Sequence, residues 1–225
     1  MTPSSDNKSV RRRNLREDVA DRLRNDILTG RLTPGKRIDQ DQLAAELGVS
    51  QLPVREALIA LDQEGLVETI PRRGSYVPQL TPEDIADQYR IFGLVSGLAA
   101  ARAAEILSAQ ELYELRSTNE RLGVTNDTAE QERLNFEFHR IINRAGSSRR
   151  LMSTIRLLAR SLPDNYYDFA QGWQTAACAE HEIILRALEA HDADGAQRAM
   201  VSHLSDGGRH AVTRLSELGY FSTEQ

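Results

Sequence analysis

Apolar residues recur every three to four positions in the first third of the chain, which is the spacing of one face of a helix. The repeat predicts three short helices over residues 15–30, 39–47 and 50–64. Asp39 and Ser50 stand at the starts of the second and third helices. Their side-chain oxygens can accept hydrogen bonds from the first turn, so we expect both residues to act as helix caps.

The period changes to two after Gly65, which ends the third helix. The segments "LVETI" and "SYV" alternate like two strands, and the intervening "PRRG" predicts a hairpin turn. The earlier segment "RLTPGKRI" is expected to form a turn between two short extended pieces. Three small helices and a hairpin predict a winged helix-turn-helix over residues 15–78.

From residue 79 onward the helical period dominates. Thr81 is suited to cap a helix with Pro82 at its first position. Six helices are predicted over residues 81–107, 109–122, 127–145, 148–161, 172–190 and 193–218. The expected fold is therefore mainly α, with an N-terminal winged helix-turn-helix and a C-terminal all-α bundle of about six helices over residues 79–221. Residues 1–14 are polar, contain "RRR", and are expected to form a flexible basic tail.

The charge of the chain is divided between these two parts. The formal net charge is −5, which argues against a protein that coats nucleic acid or membrane indiscriminately. Residues 1–78 carry 13 Lys/Arg and 12 Asp/Glu, a balance of +1, whereas residues 79–225 carry 15 and 21, a balance of −6. Any polyanionic partner is therefore expected to bind the first part.

The sequence contains no membrane or export signal that we can identify. It has no run of 18 apolar residues, and no apolar segment follows the basic stretch at residues 11–13. Cys178 is the only cysteine, so an intramolecular disulfide is excluded. We expect a cytoplasmic protein that does not bind membranes.

The third helix and the hairpin offer the chemistry needed to read DNA. A helix in this position lies in the major groove, with the side chains near its N-terminus at the base edges. Arg55 can bind a phosphate or a guanine edge, and the hairpin tip can enter the neighbouring minor groove. Ser50 and the first amides of the helix suit a phosphate oxygen. The predicted DNA-binding residues are Ser50, Gln51, Pro53, Arg55, Arg72, Arg73 and Gly74.

The segment "LAAELGVSQLPVREALIALDQEGLVETIPRRGSYV" resembles the DNA-binding domain of GntR-type bacterial transcription factors, and the resemblance covers residues 15–78. Because one winged helix contacts too few base pairs for selectivity, we expect a homodimer that binds a palindromic double-stranded operator. In the family an arginine commonly follows the serine, whereas this chain has Gln51. Glutamine prefers an adenine edge, so the operator is expected to differ from the usual one. The alternative is that Gln51 is simply exposed to solvent.

Three histidines and an asparagine form a second group of candidate ligands. Asn135 and His139 are four residues apart on one predicted helix, and His181 and His203 lie on two others. Three imidazoles and an oxygen suit a divalent cation such as zinc or nickel. Spacing alone leaves the common alternative open, in which the histidines have no relation to a metal.

The C-terminal part resembles the all-helical (FCD) effector domain of the FadR-like branch of GntR regulators, in its smaller VanR-like type. In metal-containing members, the ligands are Asp, His, His and His. This resemblance places a metal site at Asn135, His139, His181 and His203, with Asn135 in place of the usual aspartate. The lost negative charge is expected to lower metal affinity and to make it depend more on oxygens of the effector.

The same resemblance implies a small carboxylate effector that chelates the metal. Arg90, Arg102, Arg140 and Arg144 are available as cationic partners for it. Phe92 and Ser96 replace an arginine and a glutamate that are frequent in the family. This replacement favours a larger or partly apolar acid.

We therefore expect a ligand-responsive transcriptional regulator, a repressor that the effector releases from DNA. The alternative is a metal sensor in which the ion itself is the signal. The His-Glu-x-x-His and paired Glu-x-x-His motifs of metal hydrolases and di-iron enzymes are absent, so an enzyme is not expected. A purely structural interaction protein would not need the residues around Ser50 and Arg55.

Overall fold

The computed structural model describes residues 15–162, 173–217 and 219–221. The chain separates into two compact units, one that ends at Pro78 and one that begins at Gln79. The predicted basic tail, residues 1–14, lies outside the described residues. Among the helices that the structure describes, none is long and apolar enough to cross a bilayer.

The first unit is a winged helix-turn-helix, as predicted. Its elements are α1 (Leu15–Leu28), β1 (Arg37–Ile38), α2 (Gln40–Leu47), α3 (Gln51–Gln63), β2 (Glu68–Ile70) and β3 (Gly74–Tyr76). The hairpin of β2 and β3 pairs Thr69 with Ser75. The strand β1 adds to its free edge, so that the antiparallel sheet has the order β1-β3-β2. The sequence predicted the extended segment around β1 but not its pairing.

The core of the first unit joins α1 to α3. Leu23 and Ile27 of α1 are buried together with Leu58 and Leu61 of α3. A polar contact accompanies this apolar one, because the Arg24 guanidinium donates to both carboxylate oxygens of Glu64 at 3.0 and 2.9 Å. Only 7% of the Arg24 side chain and 5% of the Glu64 side chain are exposed, so this ion pair is buried.

The second unit contains the six predicted helices. They are α4 (Pro82–Ile106), α5 (Ala109–Val124), α6 (Thr128–Gly146), α7 (Arg149–Arg160), α8 (Trp173–Glu189) and α9 (Ala193–Glu217). Thr81 caps α4 and forms a capping box with Asp84, while Ser108 and Glu111 form a second one at the start of α5. These caps fix the first turns of the two helices.

Glycines let α9 and α6 approach α4 closely. A Cβ added at Gly97 of α4 would lie 2.9 Å from Val201 Cγ2 of α9, and one added at Gly208 would lie 2.7 Å from Tyr89 Cβ. A Cβ at Gly146 of α6 would overlap the carbonyl oxygen of Ala99. Since both helices rest directly on α4, the histidines that they carry are held in a defined relation.

Candidate metal centre and nucleic-acid interface

The structure brings the three predicted histidines together. His139 on α6, His181 on α8 and His203 on α9 each place a ring nitrogen within 4.8 Å of the others. The Nε2 atoms of His139 and His203 are 3.1 Å apart. Two adjacent nitrogen ligands, each about 2.1 Å from a shared zinc ion, would be separated by about 3.0–3.4 Å. The spacing of this pair therefore fits a shared cation.

The environment keeps the imidazoles in the form that binds metal. Burial lowers the pKa of His139 and that of His181 well below the ordinary value, and the neighbouring His203 lowers both further. Both rings are therefore neutral at pH 7, and a neutral imidazole offers a lone pair to a cation. His181 is fully buried and stacks on the Phe138 ring at 3.9 Å, which fixes the plane of its ring.

The hydrogen bonds around His181 determine its tautomer. The Asn119 amide nitrogen donates to the Cys178 carbonyl at 3.1 Å, so Oδ1 is the amide atom that faces His181 Nδ1, also at 3.1 Å. An oxygen acceptor requires the proton on Nδ1, which leaves a lone pair on Nε2. That Nε2 is buried and has no hydrogen-bond partner among the residues described. A buried, unpaired lone pair of this kind is suited to a metal ion.

His203 is oriented in the same way by a carboxylate. Its Nδ1 donates to Glu180 Oε2 at 2.7 Å, so Nε2, the atom that faces His139, is the ring nitrogen left to bind a cation. Asn119 and Glu180 were not recognised from the sequence. No spacing rule links them to the histidines that they orient, because Asn119 belongs to α5 and Glu180 to a different helix from His203.

A cavity of about 890 Å³ opens beside this cluster. Asn135, His139 and His203 lie in its wall, whereas His181 lies outside the lining and behind it. Asn135 is buried one turn before His139, as its predicted ligand position requires. Apolar side chains make up much of the remaining wall; they include Phe92, Phe136, Met152, Ile155, Trp173 and Leu204.

The arginines of the cavity differ in part from those predicted. Arg140 and Arg144 line it, as do Arg133, Arg156 and Arg160. Arg90 and Arg102, the other two candidates, are not part of the cavity lining and are exposed on α4. Arg90 pairs there with Asp87 at 3.2 Å. Phe92 lies in the wall as expected, while Ser96 is fully buried away from it.

Ser50 occupies the first position before α3, but its side chain makes no capping hydrogen bond. The predicted cap is therefore wrong in this respect, and the hydroxyl remains exposed and available. Asp39, in contrast, caps α2 as predicted, since its Oδ1 accepts from the amides of Asp41 and Gln42 at 3.0 Å. The start of α3 thus has one polar group that the fold does not use.

The exposed face of α3 and the hairpin turn carry arginines without ion-pair partners in the part of the chain that the structure describes. They are Arg55, Arg72 and Arg73. Arg72 has a positive φ of 63° and Gly74 a φ of 110° in this turn, and the two arginines of the turn are exposed. Gln51 is exposed, and its amide nitrogen donates to Asp41 Oδ1 at 2.5 Å.

Pro53 requires a correction. The proline was included among the predicted DNA-binding residues, but its ring is buried on the inner face of α3 with Val54, Ala57 and Leu58. A buried ring cannot contact DNA without rearrangement of the helix. Its place in the third position of α3 instead favours the start of the helix, where the missing amide proton has no helical acceptor.

Comparisons with known proteins agree with both units. Residues 15–77 match the bacterial regulatory proteins of the gntR family, and residues 87–206 match the FCD domain. A Streptomyces ambofaciens protein described as an HTH-type transcriptional regulator is 33% identical over 202 residues, covering 85% of this chain and 83% of that protein. The HTH-type transcriptional repressor RspR of Escherichia coli is 26% identical, covering 82% and 83%. The structure of E. coli McbR/YncC is similar, with a TM-score of 0.63 and 27% identity over 85% of this chain and 94% of that one.

Proposed function

The chain belongs to the GntR family of bacterial regulatory proteins and carries an FCD domain, and from this premise we propose that it is a homodimeric repressor released from a palindromic operator by a carboxylate effector. The family and its relatives are transcriptional regulators and not enzymes. Similarity to RspR, which is described as a repressor, supports repression of transcription over activation. Assignment to the VanR-like type stays a prediction.

The DNA contact is assigned to α3 and the hairpin turn. Arg55 lies on the exposed face of α3, and Arg72 and Arg73 project from the turn. Arg22 and Arg31 of this unit are already paired, since both bind Asp26. The guanidiniums of Arg55, Arg72 and Arg73 have no such partner in the described part of the chain, so they are free to neutralise phosphates or to read guanine edges.

A dimer is required because one winged helix contacts too few base pairs for selectivity, and a two-fold axis matches a palindrome. We assign the dimer interface to an apolar stripe on α4. Ile91, Leu94 and Leu98 are 47%, 50% and 46% exposed, and their spacing places them on one helix face. A second copy would bury this stripe.

The observation that carries the sensing function is the buried lone pair of His181, which converges with two other imidazoles beside a large cavity. His139, His181 and His203 would hold a zinc or nickel ion, and Asn135 would add a neutral oxygen. When bound, the ion supplies positive charge and open coordination positions for carboxylate oxygens. An acid in the cavity would then contact α6, α7 and α9 together and shift the population of states competent for DNA.

The alternative is a pure metal sensor. Such a protein needs the histidines but no cavity of about 890 Å³ beside them. The cavity therefore favours an organic ligand as the signal. The two functions differ in whether release from DNA follows the metal concentration, or the acid concentration at constant metal.

The experiment is fluorescence anisotropy with labelled DNA from upstream of the protein's own gene, titrated with wild type and variants. Arg55→Ala should reduce specific binding by at least about tenfold while thermal stability remains unchanged. Arg102→Ala is the matched control, because Arg102 is exposed on the second unit and lies outside the cavity. Unchanged binding by Arg55→Ala would remove α3 from its assigned role.

A further inference from the structure

The cavity wall carries polar groups that no part of the metal centre uses. We propose that Asn143, Arg144 and Arg156 form a second ligand subsite, which selects acids that have a second carboxylate group. This inference rests on the proposed function, since the first carboxylate of the same ligand binds at the metal centre. The ligand class is a linear dicarboxylate with an apolar middle.

The strongest observation concerns Asn143. Its side chain lies in the cavity wall and is only 6% exposed, and its Oδ1 has no hydrogen-bond partner in the described part of the chain. A buried amide oxygen without a partner disfavours the folded state. Nδ2 of the same amide makes no hydrogen bond to the described residues, so it is the atom that can donate to a carboxylate oxygen in the cavity.

The position of Asn143 sets the length of the ligand. Asn135, His139 and Asn143 follow one another at intervals of four residues on α6, and all three lie in the cavity wall. Four residues of helix rise by about 6 Å, so Asn143 is about 6 Å along the axis from His139. A ligand bound at both points must be extended, with its two polar ends separated by a helical turn.

The cavity wall also carries unpaired positive charge. Among the lining arginines, Arg133 is paired with Glu130 and Arg140 with Glu137. Arg144 and Arg156 have no ion pair within the described ranges, although the Arg144 charge also acts on the nearby Glu111 carboxylate. Arg144 lies in the last turn of α6, where a cation also stabilises the helix end. Arg156 lies in the middle of α7 and has no such role, so its free charge is the more informative.

The walls between the two ends are apolar. Phe136 of α6 and Met152 and Ile155 of α7 line the cavity with Asn143 and Arg156. Transfer of methylene groups from water into such surroundings is favourable, whereas transfer of a third charge is unfavourable. These walls therefore favour an unbranched hydrocarbon chain between two carboxylates.

The test compares acids of equal length by isothermal titration calorimetry and thermal shift on the zinc-loaded, full-length dimer. The probes are succinate and adipate, with butyrate and hexanoate as their monocarboxylate counterparts. Adipate should bind at least about tenfold more tightly than hexanoate, since its second carboxylate gains a charge-assisted hydrogen bond. Arg156→Gln and Asn143→Ala should each remove most of this advantage, while Arg102→Gln should preserve it.

The outcomes separate the inference from the proposed function on which it rests. Equal binding of adipate and hexanoate would overturn the second subsite and leave the metal-bound carboxylate in place. An advantage that survives in Arg156→Gln and in Asn143→Ala would also overturn it. Failure of all four acids to bind the zinc-loaded protein would overturn both. Melting temperatures of the variants without ligand identify any variant that fails to fold. If Asn143→Ala does not fold, Arg156→Gln still tests the subsite, because Arg156 is exposed.

Discussion

The buried ion pair between α1 and α3 provides a direct test of how the fold supports DNA binding. Arg24 donates to Glu64 at 3.0 and 2.9 Å, and both side chains are almost completely buried. Arg24→Met retains the apolar stem but leaves the Glu64 carboxylate without its partner. Loss of one member of a buried pair costs about 3–5 kcal/mol in folding free energy.

That cost is large relative to the stability of a unit of this size. At roughly 0.05–0.15 kcal/mol per residue, a unit of about 65 residues has a free energy of unfolding of about 3–10 kcal/mol. Arg24→Met should therefore unfold a large share of the first unit at 37 °C. It should also abolish operator binding, although Arg24 is buried and cannot itself contact DNA.

The assay follows the two units separately during urea denaturation. Trp173 is the only tryptophan and lies in the second unit, so its fluorescence reports on that unit. Hydrogen exchange of the α1 and α3 amides reports on the first. Arg22→Met is the control: its pair with Asp26 is exposed on the arginine side, and an exposed pair contributes less than about 1 kcal/mol.

A second variant separates the lost interaction from the stranded charge. Arg24→Met combined with Glu64→Met removes both charges, and it should recover most of the stability, because an apolar replacement of the whole pair is often neutral or stabilising. A cost below about 1 kcal/mol for Arg24→Met would refute the assignment of a buried pair. A double variant as unstable as the single one would refute the explanation by an unpaired carboxylate.

Three further predictions concern the second unit. Gly146→Ala should lower the free energy of unfolding of the second unit by at least about 1–3 kcal/mol, since the added methyl group overlaps the Ala99 carbonyl oxygen. Urea denaturation followed by Trp173 fluorescence measures this loss. Leu94→Glu should convert the proposed dimer to a folded monomer in size-exclusion chromatography with light scattering, because it places a charge in the apolar stripe of α4. Chelation of metal should lower the melting temperature of the wild type but not of His181→Ala; a free ion at 100 times its Kd stabilises by about 2.7 kcal/mol.

Each of these has a contradicting outcome. Wild-type stability of Gly146→Ala would mean that α6 does not rest on α4 as closely as the structure has it. A dimeric Leu94→Glu would assign the interface to another surface. An equal response of the wild type and His181→Ala to chelator would exclude His181 as a ligand.

The helices could be read from the sequence because their signals are local. The six helices of the second unit follow from the apolar period and from caps such as Thr81, and their observed bounds lie within a few residues of those predicted. The pairing of β1 was missed, because two residues carry no alternation and the partner strand lies nearly 40 positions away. The Ser50 cap was wrong for a different reason. Serine is frequent at the position before a helix, but residue type alone does not determine whether its hydroxyl makes the capping hydrogen bond, and here it makes none.

The candidate site was predictable only in part. Three histidines on three helices could be proposed from resemblance, but spacing did not determine that their rings converge. The groups that orient them, Asn119 and Glu180, come from helices whose contacts depend on the whole bundle. For the same reason Arg156 was not among the candidate arginines whereas Arg90 and Arg102 were, since a charge pattern does not reveal which face of a helix borders a cavity.

The proposed ligand set predicts that metal and acid strengthen each other's binding. In that set three imidazoles and the Asn135 amide bring no negative charge to a divalent ion, and Glu180 binds His203 and not the ion. An anionic acid supplies the missing charge, and by linkage it must raise metal affinity by the same factor as metal raises acid affinity. Asn135→Asp adds a permanent charge at the same place.

The interaction energy between the new carboxylate of Asn135→Asp and a bound ion can be worked out from Coulomb's law. Two unit charges about 4 Å apart interact by about 4 kcal/mol at an effective dielectric constant of 20. Burial of the new carboxylate offsets part of this gain, because Asn135 is only 6% exposed. A net gain of about 1.4 kcal/mol would already raise metal affinity tenfold. We therefore expect this variant to bind zinc at least about tenfold more tightly in competition with a chelator, and adipate to raise its zinc affinity less than that of the wild type. Unchanged zinc affinity would place Asn135 outside the coordination sphere, and the regulator would then sense its acid without help from this position.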